Sequence, residues 1–315
     1  MARYSVGMIV LFCLAGIVIA ALMAVCIWFT VGLVQILAGI KKATTATGHC
    51  VEGQTDCDNV ANEKLGFPTQ STTFSTGDAK IYADLVGRLE VAAKNDIAPT
   101  SPPGFTLLKT LNDKYGDMFV GLWTTTIDNV TQLYVVFRGT KTMDEWKKDL
   151  QASQVPWPID GCQIHKGFNA VYQVNRTELL STINTVKPSF IAFTGHSLGA
   201  AIATLASLDM AITKLEVSPK IVAYVFASPR VGNVDFAALV NKHVVLFRIV
   251  NSADLVNDIP FPIHPNVRGK HIPFIYQHVG ISASFNINWG SITNNHLIPI
   301  YKHCLDSPDC TLSFA

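Results

Sequence analysis

Gly195-His-Ser-Leu-Gly199 places one serine between two glycines, and that hydroxyl is the group in this chain with the clearest capacity for covalent chemistry. A serine attacks a carbonyl near neutral pH only when a histidine takes its proton and a carboxylate orients and stabilises that histidine. A GxSxG alone is a weak signal, but its flanks strengthen it. Ser189-Phe-Ile-Ala-Phe-Thr194 is a short apolar run of buried-strand type, and Leu198 to Leu215 carries apolar residues at helical spacing with many alanines. On a tight turn between strand and helix, the hydroxyl of Ser197 is lifted clear of the sheet. The flanking glycines leave room where side chains would collide, and the helix N-terminus aims free N–H groups at the same spot.

The partners of such a serine follow it in the order acid, then histidine. Asp254 and Asp258 both follow a strand-like run ending at Val250, and Asp254 lies nearer the strand end. The downstream histidines are His264, His271, His278, His296 and His303. His296, after Asn294-Asn295, suits a loop that can turn its ring toward Ser197. His278 falls in the strand-like stretch Phe274 to Ser282, where packing holds it, and His303 lies in what reads as a final helix. A tetrahedral oxyanion needs two or more converging N–H donors. Leu198 offers one from its backbone, and Thr140, at the end of Phe137-Arg-Gly-Thr140, offers a second from backbone and hydroxyl.

Several elements must hold these groups in place. Met118 to Thr124 and Gln132 to Arg138 read as strands joined by a hairpin at Ile127 to Val130. His165 to Leu180 reads as helix, then the elbow unit, Ile221 to Ala227 as strand, Asp235 to Lys242 as helix, and His243 to Val250 as strand. This alternation of apolar strands with helices predicts an α/β fold whose central sheet is mainly parallel and covered on both faces.

With 315 residues, about half of them apolar, the chain can bury a sizeable core, and one catalytic domain of about 270 residues is expected after the N-terminal segment. A formal charge of +1 without a basic tract excludes nucleic acid as an expected partner. No charged residue occurs from Gly7 to Ile40, longer than the roughly 20 residues that cross a bilayer, so residues 1–45 are expected to form a signal anchor or signal peptide. Residues 46–78, rich in Thr, Gly, Asn and Ser, read as a tether, and residues 79–315 as the catalytic domain. Arg3 against Lys41 and Lys42 slightly favours a cytoplasmic domain by the positive-inside rule. Other features favour a lumenal or extracellular one, membrane-anchored, or secreted if the segment is cleaved. Asn129 and Asn175 stand in glycosylation tripeptides. Cys50 with Cys57, and Cys304 with Cys310, are candidate disulfide cysteines whose pairing is open, with Cys162 left over.

The sequence resembles the class 3, or fungal-type, lipase family of α/β hydrolases. The matching residues are Val136-Phe-Arg-Gly-Thr140, Trp146 with Asp149-Leu150, His165-Lys-Gly-Phe168, Thr194-Gly-His-Ser-Leu-Gly199, Ser228-Pro-Arg-Val-Gly-Asn233, Val250-Asn251 with Asp254, and His296. The resemblance implies Ser197 as nucleophile, Asp254 rather than Asp258 as acid, His296 as base, and Thr140 with Leu198 as oxyanion hole. It implies a lipid ester as substrate and neither metal nor other cofactor. Triacylglycerol is the leading substrate class. A phospholipase, or an inactive lipid-binding protein, is the alternative. One departure is Asn257, where the family often has a proline after its acid. The family's lid corresponds here to Lys141 to Leu150, with Met143, Trp146 and Leu150 at helical spacing among charged residues.

Overall fold

A computed structural model describes residues 72–140, 153–159, 161–264 and 274–315, all within the compact unit Gly48–Ala315. The chain begins there with α1 (Thr76–Asn95), β1 (Thr106–Asn112), β2 (Met118–Ile127), β3 (Val130–Phe137), β4 (Gln154–Pro156) and β5 (Gln163–His165). Next come α2 (Lys166–Val186), β6 (Phe190–His196), α3 (Leu198–Ile212), β7 (Lys220–Phe226), α4 (Val234–His243) and β8 (Val245–Asn251). A 3₁₀ turn (Leu255–Asp258), β9 (Ile263–His264), β10 (Phe274–Ile275), β11 (Ile281–Phe285), α5 (Ile292–Asn295), α6 (Ile298–Asp306) and β12 (Ser313–Phe314) complete it.

An eight-stranded sheet runs in the order β1-β2-β3-β6-β7-β8-β11-β12. Its interior pairs, β3/β6, β6/β7, β7/β8 and β8/β11, are parallel, while β1/β2, β2/β3 and β11/β12 are antiparallel. Strand β6 shows why these strands are continuously apolar: Phe190 and Ala192 enter one buried cluster, and Ile191 and Phe193 enter the other. The first cluster is closed by α1 and α6, the second by α2, α3 and α4. Helix α3 crosses the middle of the second face and is buried from Leu198 to Met210, which accounts for its alanines.

The expected hairpin is present. Asp128 and Asn129 both have positive φ, +50° and +62°, the backbone of a two-residue turn matched to strand twist. Three expectations are corrected. Helix α1 starts at Thr76, inside the stretch read as tether, because Ser75 caps it by accepting from Asp78 N. His165 is not in helix α2 but caps it, its Nδ1 accepting from Gly167 N and Phe168 N. Phe274 to Ser282 is not one strand. Gln277 bridges to Gly232, and the chain turns at Gly280 (φ +65°), where a Cβ would meet Leu246 O at 2.3 Å, before β11 joins β8.

Residues 1–45, Cys50, Cys57, His271 and the candidate lid residues Met143, Trp146 and Leu150 lie outside the described residues. Among the described residues, no helix is long and apolar enough to cross a membrane. Cys304, in the last turn of α6, forms a disulfide with Cys310 just beyond the helix, and Cys162 is buried. Asn129 is exposed at the hairpin turn, but Asn175 sits within α2 at 7% exposure with its amide nitrogen enclosed. This corrects the expectation at Asn175, because the folded helix leaves no space for a glycan there.

Candidate active site

Between β6 and α3 the chain reverses in a single residue. Ser197 has φ +58° and ψ −122°, a conformation costly for any residue with a Cβ and retained only where the surroundings over-determine it. Those surroundings are backbone. A Cβ on Gly195 would stand 2.4 Å from Gly199 O, and one on Gly199 would stand 2.4 Å from both Phe137 O and Arg138 O. The two glycines are thus required by the approach of the turn to its own helix and to the end of β3.

Ser197 Oγ lies 2.7 Å from His296 Nε2, and His296 Nδ1 lies 2.8 Å from Asp254 Oδ2. A carboxylate only accepts, so Nδ1–H donates to Asp254 and the Nε2 lone pair faces the serine hydroxyl. Asp254 is buried and both its oxygens are engaged: Oδ1 accepts from Val256 N at 2.9 Å, and Oδ2 also accepts from Tyr301 OH at 2.6 Å. Burial holds the His296 pKa below its ordinary value, and the nearby His196 pushes the same way against the pull of Asp254. The ring is therefore neutral, the form that can take a proton.

Asp254 follows β8 and His296 follows α5, and a pair of asparagines fastens these segments together. Asn251 Nδ2 donates to Asn295 O and Ile287 O, while Asn295 Nδ2 donates to Ala253 O. Asn257, at the position where the class 3 lipases often have a proline, is buried and donates from Nδ2 to Asn251 O and Asp254 O, each at 3.1 Å. A side-chain amide here fixes the turn that a proline ring would otherwise stiffen. Asp258 is exposed at the end of that turn. His278 Nε2 donates to Asn257 O and is held in packing, and His303 lies in α6.

Thr140 follows β3 beside the elbow, since Phe137 pairs with Gly195. Among the described residues its enclosed hydroxyl has no hydrogen-bond partner, and the N–H of Leu198 belongs to the first turn of α3, where helix amides lack internal partners. Both are thus available to an incoming oxygen. Among the described residues, no group of three or more His, Cys, Asp or Glu side chains could hold a metal ion.

Three participants carried no sequence signal of their own. Tyr301 reaches Asp254 from α6, five residues beyond His296, and in sequence it reads as one more apolar position of a helix. Asn295 sits beside His296 and reads only as a loop residue. Glu90, on α1, lies 2.8 Å from His196 Nδ1 across a separation of 106 residues, which no local pattern encodes.

Residues 134–264 match the family of class 3 lipases. The lipase of Rhizomucor miehei is 36% identical over 140 residues, covering 42% of this chain and 39% of that protein. A solved structure of the Rhizomucor miehei triacylglyceride lipase superposes with a TM-score of 0.51 at 26% identity, covering 66% of this chain and 78% of that one. Phospholipase A1-II 1 of Oryza sativa subsp. japonica is 35% identical over 152 residues, 40% of this chain and 39% of that protein. The secreted mono- and diacylglycerol lipase A of Penicillium camembertii is 26% identical over 228 residues, 70% of this chain and 73% of that protein. The matched segment spans about two fifths of the length of the Rhizomucor and Oryza relatives. Its sheet is that of the α/β hydrolases, and over residues 134–264 the chain is similar to the class 3 lipases.

Proposed function

We propose that the chain is a serine hydrolase that cleaves the carboxylic esters of acylglycerols through an acyl-enzyme. The observation that carries this reading is the continuous Ser197–His296–Asp254 hydrogen-bond chain on a strained turn at a helix N-terminus. His296 takes the proton of Ser197 as Oγ attacks the ester carbonyl, and Asp254 stabilises the resulting imidazolium. The carbonyl oxygen, now an oxyanion, is met by Leu198 N–H and by Thr140. His296 then delivers its proton to the departing alcohol, leaving the acyl group on Ser197. A water molecule, deprotonated by the same ring, attacks the acyl-enzyme; the fatty acid leaves and Oγ regains its proton. No step requires a metal or cofactor.

The disulfide at Cys304–Cys310 favours an oxidising compartment, and the secreted Penicillium relative points the same way, so secretion or display outside the cytosol is part of the proposal. A phospholipase reading is favoured by the Oryza relative. Hydrolysis of p-nitrophenyl esters from acetate to palmitate, beside Ser197→Ala, tests the chemistry. Activity rising toward long chains and falling at least about 10⁴-fold in the variant is expected. An unchanged Ser197→Ala overturns the assignment. Release of the sn-1 fatty acid from phosphatidylcholine vesicles in preference to acylglycerol emulsions selects the phospholipase.

A further inference from the structure

Glu90 and His196 stand behind the site, on the face of the sheet opposite α3, and take no part in proton transfer to or from Ser197. Glu90 Oε1 accepts from Gly139 N at 3.1 Å and lies 2.8 Å from His196 Nδ1. The other ring nitrogen, Nε2, lies 2.6 Å from the main-chain oxygen of His296. Both neighbours of the imidazole are acceptors, a carboxylate and a carbonyl. A neutral ring has one N–H and would set a lone pair against one of them, so the two contacts together call for an imidazolium. The alternative proton site is Glu90, but its side chain is 26% exposed against 6% for His196, and a partly hydrated carboxylate keeps its charge more readily.

We propose that Glu90 and protonated His196 are a positioning pair for the hydrolysis. The carboxylate holds the Gly139–Thr140 loop, and the imidazolium holds the main chain of His296, so that oxyanion donor and base keep their places relative to Ser197. This rests on the hydrolase reading. The groups facing His196 are Glu90 from α1, the His296 ring at 4.7 Å, the charge of Asp254, and the Tyr301 ring at 6.1 Å from α6. Burial alone would discharge the pair, yet the facing carboxylates raise the His196 pKa and His196 lowers that of Glu90. The alkaline limb of activity then belongs to His196, while the acid limb belongs to His296.

Glu90→Gln separates these roles, because glutamine keeps an oxygen for Gly139 N–H and removes the charge. In the full chain, the His196 resonance followed by NMR should titrate above the ordinary histidine range. In Glu90→Gln it should move down by at least about one pH unit. The alkaline limb of kcat/KM for p-nitrophenyl butyrate should move with it, kcat falling about tenfold near pH 8 with little change in KM. A wild-type His196 that is neutral at pH 7, or an alkaline limb unmoved in a folded Glu90→Gln, overturns the proposal. Should Glu90→Gln not fold, His196→Asn is read instead: its amide still donates to His296 O but does not titrate, so the alkaline limb should disappear, and its persistence overturns the proposal. A wild-type chain that hydrolyses no ester removes the hydrolase reading and the positioning role together. NMR then still reports the ion pair, which keeps the two failures distinct.

Discussion

His296 is pulled two ways, since burial disfavours its charged form and Asp254 favours it, and the balance falls on the neutral side. A base with a lowered pKa stays competent into acid. The acid limb of kcat/KM is therefore expected below the ordinary histidine value of about 6.5, and a limb at or above that value would contradict the geometry. Tyr301 contributes differently. Its hydroxyl donates to the same Asp254 oxygen that receives His296 Nδ1–H, which keeps a buried carboxylate hydrogen-bonded and pointed at the ring. Tyr301→Phe removes one charge-assisted hydrogen bond, of about 1.5–3 kcal/mol, without opening a cavity. The expected result is a loss of kcat of about tenfold or more with KM nearly unchanged, measured on a soluble ester.

At the scale of elements, the strand–turn–helix unit tolerates almost no change. Gly199→Ala drives a methyl to 2.4 Å from two carbonyl oxygens of the β3 end, and neither is a side chain that can swing away. A loss of at least about 3 kcal/mol in urea unfolding is expected. Gly77→Ala is the control, because its added Cβ meets nothing nearer than 3.7 Å and a helical alanine stabilises by about 0.5–1 kcal/mol. The same unit explains what could be read ahead of the structure. Ser197 was legible because strand, glycines and helix adjoin in sequence, and the sheet was legible because β3, β6, β7 and β8 are apolar on both faces. Asp254 and His296 could be narrowed by chain order, and the family resemblance singled out this acid and this histidine, the two that the fold brings to Ser197. Glu90, Tyr301 and the Asn251–Asn295 clasp stayed hidden, since each acts across tens of residues through one side chain of ordinary local setting. His165 misled because a histidine capping a helix looks, in sequence, like the helix's first residue.

Two histidines of the molecule, His278 and His196, are held in opposed states, which sets how its stability answers pH. His278 donates from Nε2 to Asn257 O, and burial together with the cations of Arg248 and Arg230 lowers its pKa to about 3. Those arginines cannot move away cheaply, because Arg248 Nε holds Val279 O and Arg230 Nη1 holds Pro260 O. With the folded pKa below the unfolded one, the unfolded chain takes up the proton first as pH falls. His278 therefore costs nothing above about pH 6.5 and draws stability away at up to roughly 1.4 kcal/mol per pH unit from there toward pH 3. His196, with its pKa raised, has the opposite sign: its contribution is full at low pH and is lost as pH rises through the folded value. The fold should thus be most stable between these two titrations. His278→Gln keeps a donor for Asn257 O and cannot be protonated. Thermal unfolding at pH 7 and at about pH 4.5 should show a smaller drop in Tm for this variant than for the wild type. An equal drop in both would place the acid sensitivity of the molecule in its carboxylates instead.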